Sequence, residues 1–160
     1  MTERQKAFES IAVCNLLEHC KLFVNSKNIL CYWAMDDEID TKSFMQKWSG
    51  QKYFLLPSIN GDELEIKLFN GIENMQNGAQ FNIPEPIGDA FIDYEAIDMI
   101  IVPGRAFDEE GHRIGRGLGF YDRILGNIRA KKIGVCFGCQ IFDNIQTEEH
   151  DIKMDIVLHA

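Results

Sequence analysis

Apolar positions along the chain recur with two different periods, and these periods predict alternating helices and strands. The opening segment has helical spacing, carried by Phe8, Ile11, Ala12, Leu16 and Cys20. Thr2 followed three residues later by Gln5 has the pattern of a capping box, so we expect a helix from there to about residue 20. The segments 40–48 and 120–128 also have a helical period and predict two further helices.

Short apolar runs between these segments predict strands. The runs at 28–33, 98–103, 131–137 and 155–159 are typical of buried strands. The runs at 53–59 and 63–69 flank Asn60-Gly61-Asp62, which predicts a hairpin. Residues 70–96, with scattered glycines and prolines, predict a long irregular segment, and such segments often have a function. The alternation predicts a three-layer α/β/α sandwich with a mainly parallel sheet.

Composition narrows the class of protein. A chain of 160 residues that is 46% hydrophobic is long enough for one domain, which we place at 1–160. It has no apolar run long enough to predict a membrane span, and its polar start does not resemble a signal peptide, so we expect a cytoplasmic protein. A formal net charge of -9 argues against nucleic acid as a partner.

The five cysteines predict free thiols rather than a disulfide framework. Cys136 and Cys139 form a CxxC motif, but no second such motif is present to complete a zinc site. A redox pair remains an alternative, and buried or incidental thiols are the simpler interpretation.

The strongest candidate for chemistry is the stretch RIGRGLGFYD, Arg113–Asp122. Its three alternating glycines can bring backbone N–H groups together around an anion, and its two arginines add donors suited to phosphate or carboxylate. The predicted helix that follows would point its positive end at the same place. The stretch is neither a Walker loop nor a dinucleotide fingerprint. A flexible loop, with arginines paired to Asp108, Glu109 and Glu110, is the alternative.

Residues 102–125, VPGRAFDEEGHRIGRGLGFYDRIL, resemble the signature of the 5-formyltetrahydrofolate cyclo-ligase family. Other pieces are similar to the family in the same order, namely YWAMDDEIDT at 32–41, FLLPSI at 54–59, FNIPEP at 81–86 and EEHDIKMDIVL at 148–158. The resemblance covers essentially the whole chain. It implies an α/β/α sandwich, in agreement with the order of predicted elements.

The resemblance also implies an activity. The family uses ATP as co-substrate and Mg²⁺ as cofactor to close 5-formyltetrahydrofolate into 5,10-methenyltetrahydrofolate, with release of ADP and phosphate. The partners are then small molecules. We expect a monomer, with a dimer left open.

Site residues follow from the same resemblance. It implies that Arg116 and Tyr121 are catalytic. The residues implied for ATP are Arg113, Ile114, Gly115, Arg116, Gly117, Leu118, Gly119, Phe120 and Tyr121. Those implied for the folate are Trp33, Glu38, Arg116, Gly117, Leu118, Gly119 and Phe120. Asp122 and Asp151 would hold Mg²⁺. On the residues alone, Asp122 and Asp151 are equally explained as caps, Glu38 as a solvated helix start and Trp33 as core.

The chain departs from the family pattern in two places. The family begins with an additional basic helix that we do not find ahead of residue 2, and Phe120 stands where the family commonly has tyrosine. The first departure keeps two alternatives open. Either the native protein is longer and begins upstream of Met1, or the chain is a catalytically weakened relative that binds nucleotide or folate without turnover. A phosphosugar-binding domain is a third interpretation, since related folds use glycine loops for phosphosugars.

Overall fold

The computed structural model describes residues 1–78, 82–117 and 119–160. The helices of this part are α1 (Glu3–His19), α2 (Lys21–Asn25), α3 (Lys42–Trp48) and α4 (Phe120–Asn127). The strands are β1 (Asn28–Leu30), β2 (Tyr53–Asn60), β3 (Glu63–Leu68), β4 (Met75–Asn77), β5 (Pro84–Pro86), β6 (Met99–Val102), β7 (Ala106–Asp108), β8 (Arg113–Ile114), β9 (Lys131–Cys136), β10 (Ile141–Phe142) and β11 (Ile156–His159).

A six-stranded sheet forms the centre of the molecule, in the order β11-β9-β6-β1-β2-β3. All of its pairings are parallel except that of β2 with β3. This confirms the predicted fold class with its mainly parallel sheet. Because β1 and β6 are parallel neighbours, their carboxyl ends lie at the same edge, which is where ligands bind in folds of this type.

Alternate residues of the strands enter two separate hydrophobic clusters, as expected for a sheet covered on both faces. One cluster joins Ile29 and Ile101 to Val13 of α1 and Phe44 of α3. The other joins Leu30, Ile100 and Val102 to Ile124 and Leu125 of α4. The helices therefore form two layers with the sheet between them.

The opening helix is confirmed, but the apolar residues that indicated it do not mark its buried face. Gln5 N donates to Thr2 Oγ1 at 3.2 Å and Thr2 N donates to Gln5 Oε1 at 2.8 Å, so the capping box is present. The buried positions of α1 are Ser10, Val13 and Leu17, while Phe8, Ile11 and Leu16 are exposed. Ser10 points inward because its hydroxyl accepts a hydrogen bond from Asp40 N at 3.1 Å.

The other predicted elements are confirmed, most of them with shorter bounds. The hairpin of β2 and β3 turns at Gly61, whose φ of 64° favours glycine. Residues 28–33 contribute only Asn28–Leu30 to the sheet. The segment 70–96 contains the short β4–β5 hairpin, which the sequence did not indicate. The small sheet in the order β10-β7-β8 was also not predicted. Within the described part of the chain, every helix is too short or too polar to span a lipid bilayer.

Candidate active site

Two loops meet beyond the carboxyl ends of neighbouring strands and carry most of the predicted site residues. One runs from β1 to α3 and includes Trp33 and Glu38. The other runs from β6 to α4 and includes the glycine-rich stretch. Parallel pairing of β1 with β6 explains why segments about seventy residues apart come together here.

Arg116 joins the two loops by ion pairs to both Asp37 and Glu38. Its Nη2 donates to Glu38 Oε1 at 3.2 Å and to Asp37 Oδ1 at short range. The other Glu38 oxygen, Oε2, accepts from Met35 N at 2.9 Å. Only 9% of the Glu38 side chain is exposed, against 54% for Asp37. The structure therefore brings together Arg116 and Glu38, two residues predicted from the sequence.

The positive charge of Arg116 also affects the pKa of Asp37. Partial burial raises the pKa of Asp37. The hydrogen bond and the positive charge of Arg116 together lower it by more, so the pKa lies below its ordinary value. Asp37 is therefore ionised at neutral pH. Sequence reasoning missed this residue, although it lies beside Glu38 in the acidic run of residues 36–38.

Arg113 is buried within the site and is fixed by its surroundings. Its Nε donates to Pro103 O at 2.7 Å, and its guanidinium lies 5.2 Å from the centre of the Tyr121 ring. Its Nη1 is 4.0 Å from Asp122 Oδ1. Burial lowers the pKa of Arg113, and the negative charges of Asp122 and Glu38 oppose this shift. Arginine stays protonated in proteins, so a fixed positive charge lies at the start of the glycine-rich loop.

The glycines of the loop have separate physical roles. A Cβ atom at Gly115 would lie 2.8 Å from the Arg113 guanidinium, so only glycine fits there without a shift. Gly117 and Gly119 have φ values of 83° and 70°, which other residues adopt only with strain. Gly119 is also the N-cap of α4. The backbone conformation thus fits the predicted anion-binding loop, although Leu118 lies outside the described residues.

The residues on either side of the glycines differ in their contacts and burial. Ile114 belongs to β8, where its carbonyl accepts from Arg105 N at 2.8 Å and its side chain is exposed. The Phe120 ring lies 5.3 Å from the Arg123 guanidinium. Tyr121 packs against both hydrophobic clusters. Burial raises the pKa of Tyr121 and the charge of Glu38 raises it further, against the opposing charge of Arg113. Its phenol therefore stays protonated.

The two predicted metal ligands have different surroundings. The Asp122 carboxylate, in the first turn of α4, is 46% exposed and faces Arg113. Asp151 Oδ2 accepts from Glu148 N at 2.7 Å, and its Oδ1 lies 3.9 Å from His150 Nε2. Within residues 1–78, 82–117 and 119–160, no three His, Cys, Asp or Glu side chains are grouped to hold a metal ion. Mg²⁺ normally takes one or two carboxylates together with substrate phosphates, and the exposed Asp122 carboxylate fits that donor set.

Trp33 and the cysteines complete the set of predicted residues. Trp33 is partly buried, with its ring 6.1 Å from that of Phe69 and Lys42 Nζ 5.6 Å above it. Cys136 and Cys139 are free thiols, the first buried and the second exposed. Burial raises the pKa of Cys136 to about 12. This supports the interpretation of Cys136 as a buried structural thiol.

Comparison with known proteins agrees with this arrangement. The 5-formyltetrahydrofolate cyclo-ligase of Haemophilus influenzae is 33% identical over 141 residues, covering 83% of this chain and 75% of that protein. The Escherichia coli K12 protein of the same name is 28% identical over 143 residues, covering 84% and 79%. The NMR structure of Aquifex aeolicus 5,10-methenyltetrahydrofolate synthetase has a TM-score of 0.90 at 30% identity, covering 99% of this chain and 81% of that one.

The match to the family itself extends over the whole chain. Residues 1–160 match the 5-formyltetrahydrofolate cyclo-ligase family. The similarity to the two named cyclo-ligases also extends over most of the length of those proteins. The two findings confirm the resemblance and show that the protein is an enzyme of the ligase class. The chain belongs to the 5-formyltetrahydrofolate cyclo-ligase family.

Proposed function

We propose that this protein closes 5-formyltetrahydrofolate into 5,10-methenyltetrahydrofolate at the expense of ATP, with Mg²⁺ bound at the phosphates. The observation that carries the proposal is the contact of Arg116 with Glu38, which joins the glycine-rich loop to the carboxylate expected to bind the folate. Family membership and the names of the relatives support the same activity.

The reaction explains why such a site needs few reactive side chains. The formyl oxygen attacks the γ-phosphorus, ADP leaves, and an iminium phosphate results. N10 then attacks the formyl carbon, the carbon–oxygen bond breaks, phosphate departs, and N10 gives its proton to solvent. Phosphoryl transfer of this kind depends on alignment and on neutralising charge, rather than on a protein nucleophile.

The residue roles follow from charge and donor geometry. Arg113 and Arg116 provide fixed positive charge, and residues 114–121 would surround the phosphates of ATP. The Arg116 guanidinium can bridge the γ-phosphate and the formyl oxygen, and the protonated Tyr121 phenol can donate a hydrogen bond towards them. Mg²⁺, held by Asp122 and Asp151, would neutralise phosphate charge.

The folate side of the site uses Glu38 and Trp33. An ionised carboxylate has about four lone-pair positions, so Glu38 can contact Arg116 and Met35 N and still accept N–H donors of the pterin. Trp33 offers an aromatic surface at the edge of the same loop. By the family resemblance, Gly117, Leu118, Gly119 and Phe120 would border the folate.

Replacement of Glu38 tests the proposal directly. Glu38→Gln should raise the KM for 5-formyltetrahydrofolate by roughly tenfold or more, since a hydrogen bond to a charged group contributes about 1.5–3 kcal/mol. The KM for MgATP should not rise. Steady-state kinetics with each substrate varied in turn measures both values.

Glu95→Gln is the matched control, because Glu95 is exposed and has no hydrogen bond within the described residues. A KM for MgATP that rises in Glu38→Gln, while the KM for the folate stays constant, would assign Glu38 to the nucleotide. Absence of turnover by the folded parent chain would overturn the proposed function itself.

A further inference from the structure

Asp37 holds one side of Arg116, and this contact has no role in the function proposed above. Both Asp37 and Glu38 accept from the same guanidinium nitrogen, Nη2. The remaining donors of Arg116, on Nε and Nη1, make no hydrogen bond within the part of the chain that the structure describes. The three N–H groups on Nε and Nη1 of the guanidinium are therefore available to an anion, while Nη2 is held by the two carboxylates.

The loop that carries Asp37 is itself held in place by several hydrogen bonds. Tyr32 Oη donates to Ile39 O at 2.8 Å, and Thr41 Oγ1 donates to Tyr32 O at 2.8 Å. Glu38 N donates to Met35 O at 3.1 Å, which closes the turn. A carboxylate on a braced loop can fix the orientation of a long side chain, whereas one on a mobile loop cannot.

The exposure of Asp37 indicates orientation rather than stability as its contribution. More than half of its side chain is exposed, and an exposed ion pair contributes little to the free energy of folding. A misplaced charge at a reacting phosphate, in contrast, can cost a large factor in rate.

We propose that Asp37 is a positioning residue, which acts through Arg116 by fixing its Nη2 and turning Nε and Nη1 towards the phosphate that is transferred. This inference rests on the proposed function. It adds Asp37 to the residues on which the rate of phosphoryl transfer depends, although Asp37 itself touches neither substrate.

The test compares Asp37→Asn with Asp36→Asn. Asp36 is the neighbouring exposed carboxylate and has no hydrogen bond or ion pair with Arg116, so it controls for the loss of one negative charge. Asp37→Asn should lower kcat by roughly tenfold, leave the KM for the folate unchanged and leave the melting temperature unchanged. Asp37→Glu should restore part of the rate, and Asp36→Asn should match the parent.

A measurement independent of turnover follows the Arg116 side chain itself. The NMR order parameter of the Arg116 Nε–H bond should fall in Asp37→Asn and not in Asp36→Asn. The signal is assigned by its absence from the spectrum of Arg116→Lys. An order parameter of the Arg116 Nε–H bond that is the same in Asp37→Asn as in the parent would overturn the inference. A lower KM for MgATP with unchanged kcat would also overturn it, because Asp37 would then compete with phosphate for Arg116. Turnover absent from the parent chain overturns the proposed function instead.

Discussion

At the residue scale, Asp108 shows how one buried carboxylate organises the segment before the glycine-rich loop. Its side chain is 1% exposed. It accepts hydrogen bonds from His112 Nδ1 at 2.8 Å and from the backbone nitrogens of Glu110, His112 and Ile145 at 3.1, 2.9 and 3.0 Å. The turn that leads to Arg113 is thereby joined to the segment after β10.

Asp108→Asn should therefore destabilise the protein by about 2–4 kcal/mol, because one amide oxygen cannot satisfy donors arranged around two carboxylate oxygens. Urea unfolding followed by tryptophan fluorescence measures the loss. Asp143→Asn is the control, since Asp143 is exposed, and it should stay within about 0.5 kcal/mol of the parent. A loss no larger than that of the control would show that these contacts do not stabilise the fold.

The contribution of Asp108 should also depend on pH in a defined direction. Burial raises the pKa of Asp108, but the hydrogen bonds from His112 and Ile145 lower it more, so the folded pKa lies below the ordinary value. A group of this kind stabilises the fold above its ordinary pKa of about 3.9, and the stabilisation is lost as the pH falls through the folded pKa. The difference in unfolding free energy between parent and Asp108→Asn should shrink below about pH 4.

Unusual residues in a short motif can be singled out from the sequence as candidates for one site. Arg116 and Glu38 were predicted from motifs, and the structure brings them into contact. Asp37 was not predicted because an acid next to a candidate acid has no distinguishing local pattern. Its role depends on which side chain the opposite loop presents.

At the element scale, Lys52 links the end of α2 to the start of β2. Its Nζ donates to the carbonyl oxygens of Phe23, Val24 and Ser26 at 2.7, 3.3 and 2.6 Å. The last carbonyls of a helix have no partner within the helix and carry partial negative charge. One lysine thus stabilises the end of a five-residue helix that the sequence pattern did not predict.

Lys52→Met retains most of the aliphatic stem and removes these three hydrogen bonds, so it should lower the free energy of unfolding by about 1–3 kcal/mol. Chemical unfolding gives the value. Lys153→Met, at an exposed position without a hydrogen bond in the described residues, should have little effect. Equal stability of the two variants would mean that water replaces Lys52 without loss.

Elements with long apolar runs were predicted, whereas short ones were not. The apolar run at 131–137 predicted β9, but β8 and β10 have two residues each, which is too few for a pattern to be detected. The periodicity that indicated α1 does not identify its buried face, because apolar residues lie on two sides of the helix. On the buried side, the Ser10 hydroxyl accepts a hydrogen bond from Asp40 N, a contact over thirty positions that a local pattern does not reveal.

At the scale of the whole molecule, the order of the sheet explains why the site forms where it does. The parallel strands β1 and β6 lie side by side, so the loops that follow them share one edge. The sequence predicted the layers and the mainly parallel sheet. It could not predict that β1 and β6 are neighbours, because this depends on how the intervening β2–β3 hairpin packs outside β1.

The most direct test of the account is the reaction itself. The parent chain, 5-formyltetrahydrofolate and MgATP are mixed, and the near-ultraviolet absorbance of the methenyl product is followed, with ATP or Mg²⁺ omitted in the controls. The account predicts product only when both are present, with ADP formed in equal amount. Folded protein that forms no product, or forms it equally without ATP, would contradict the proposed function.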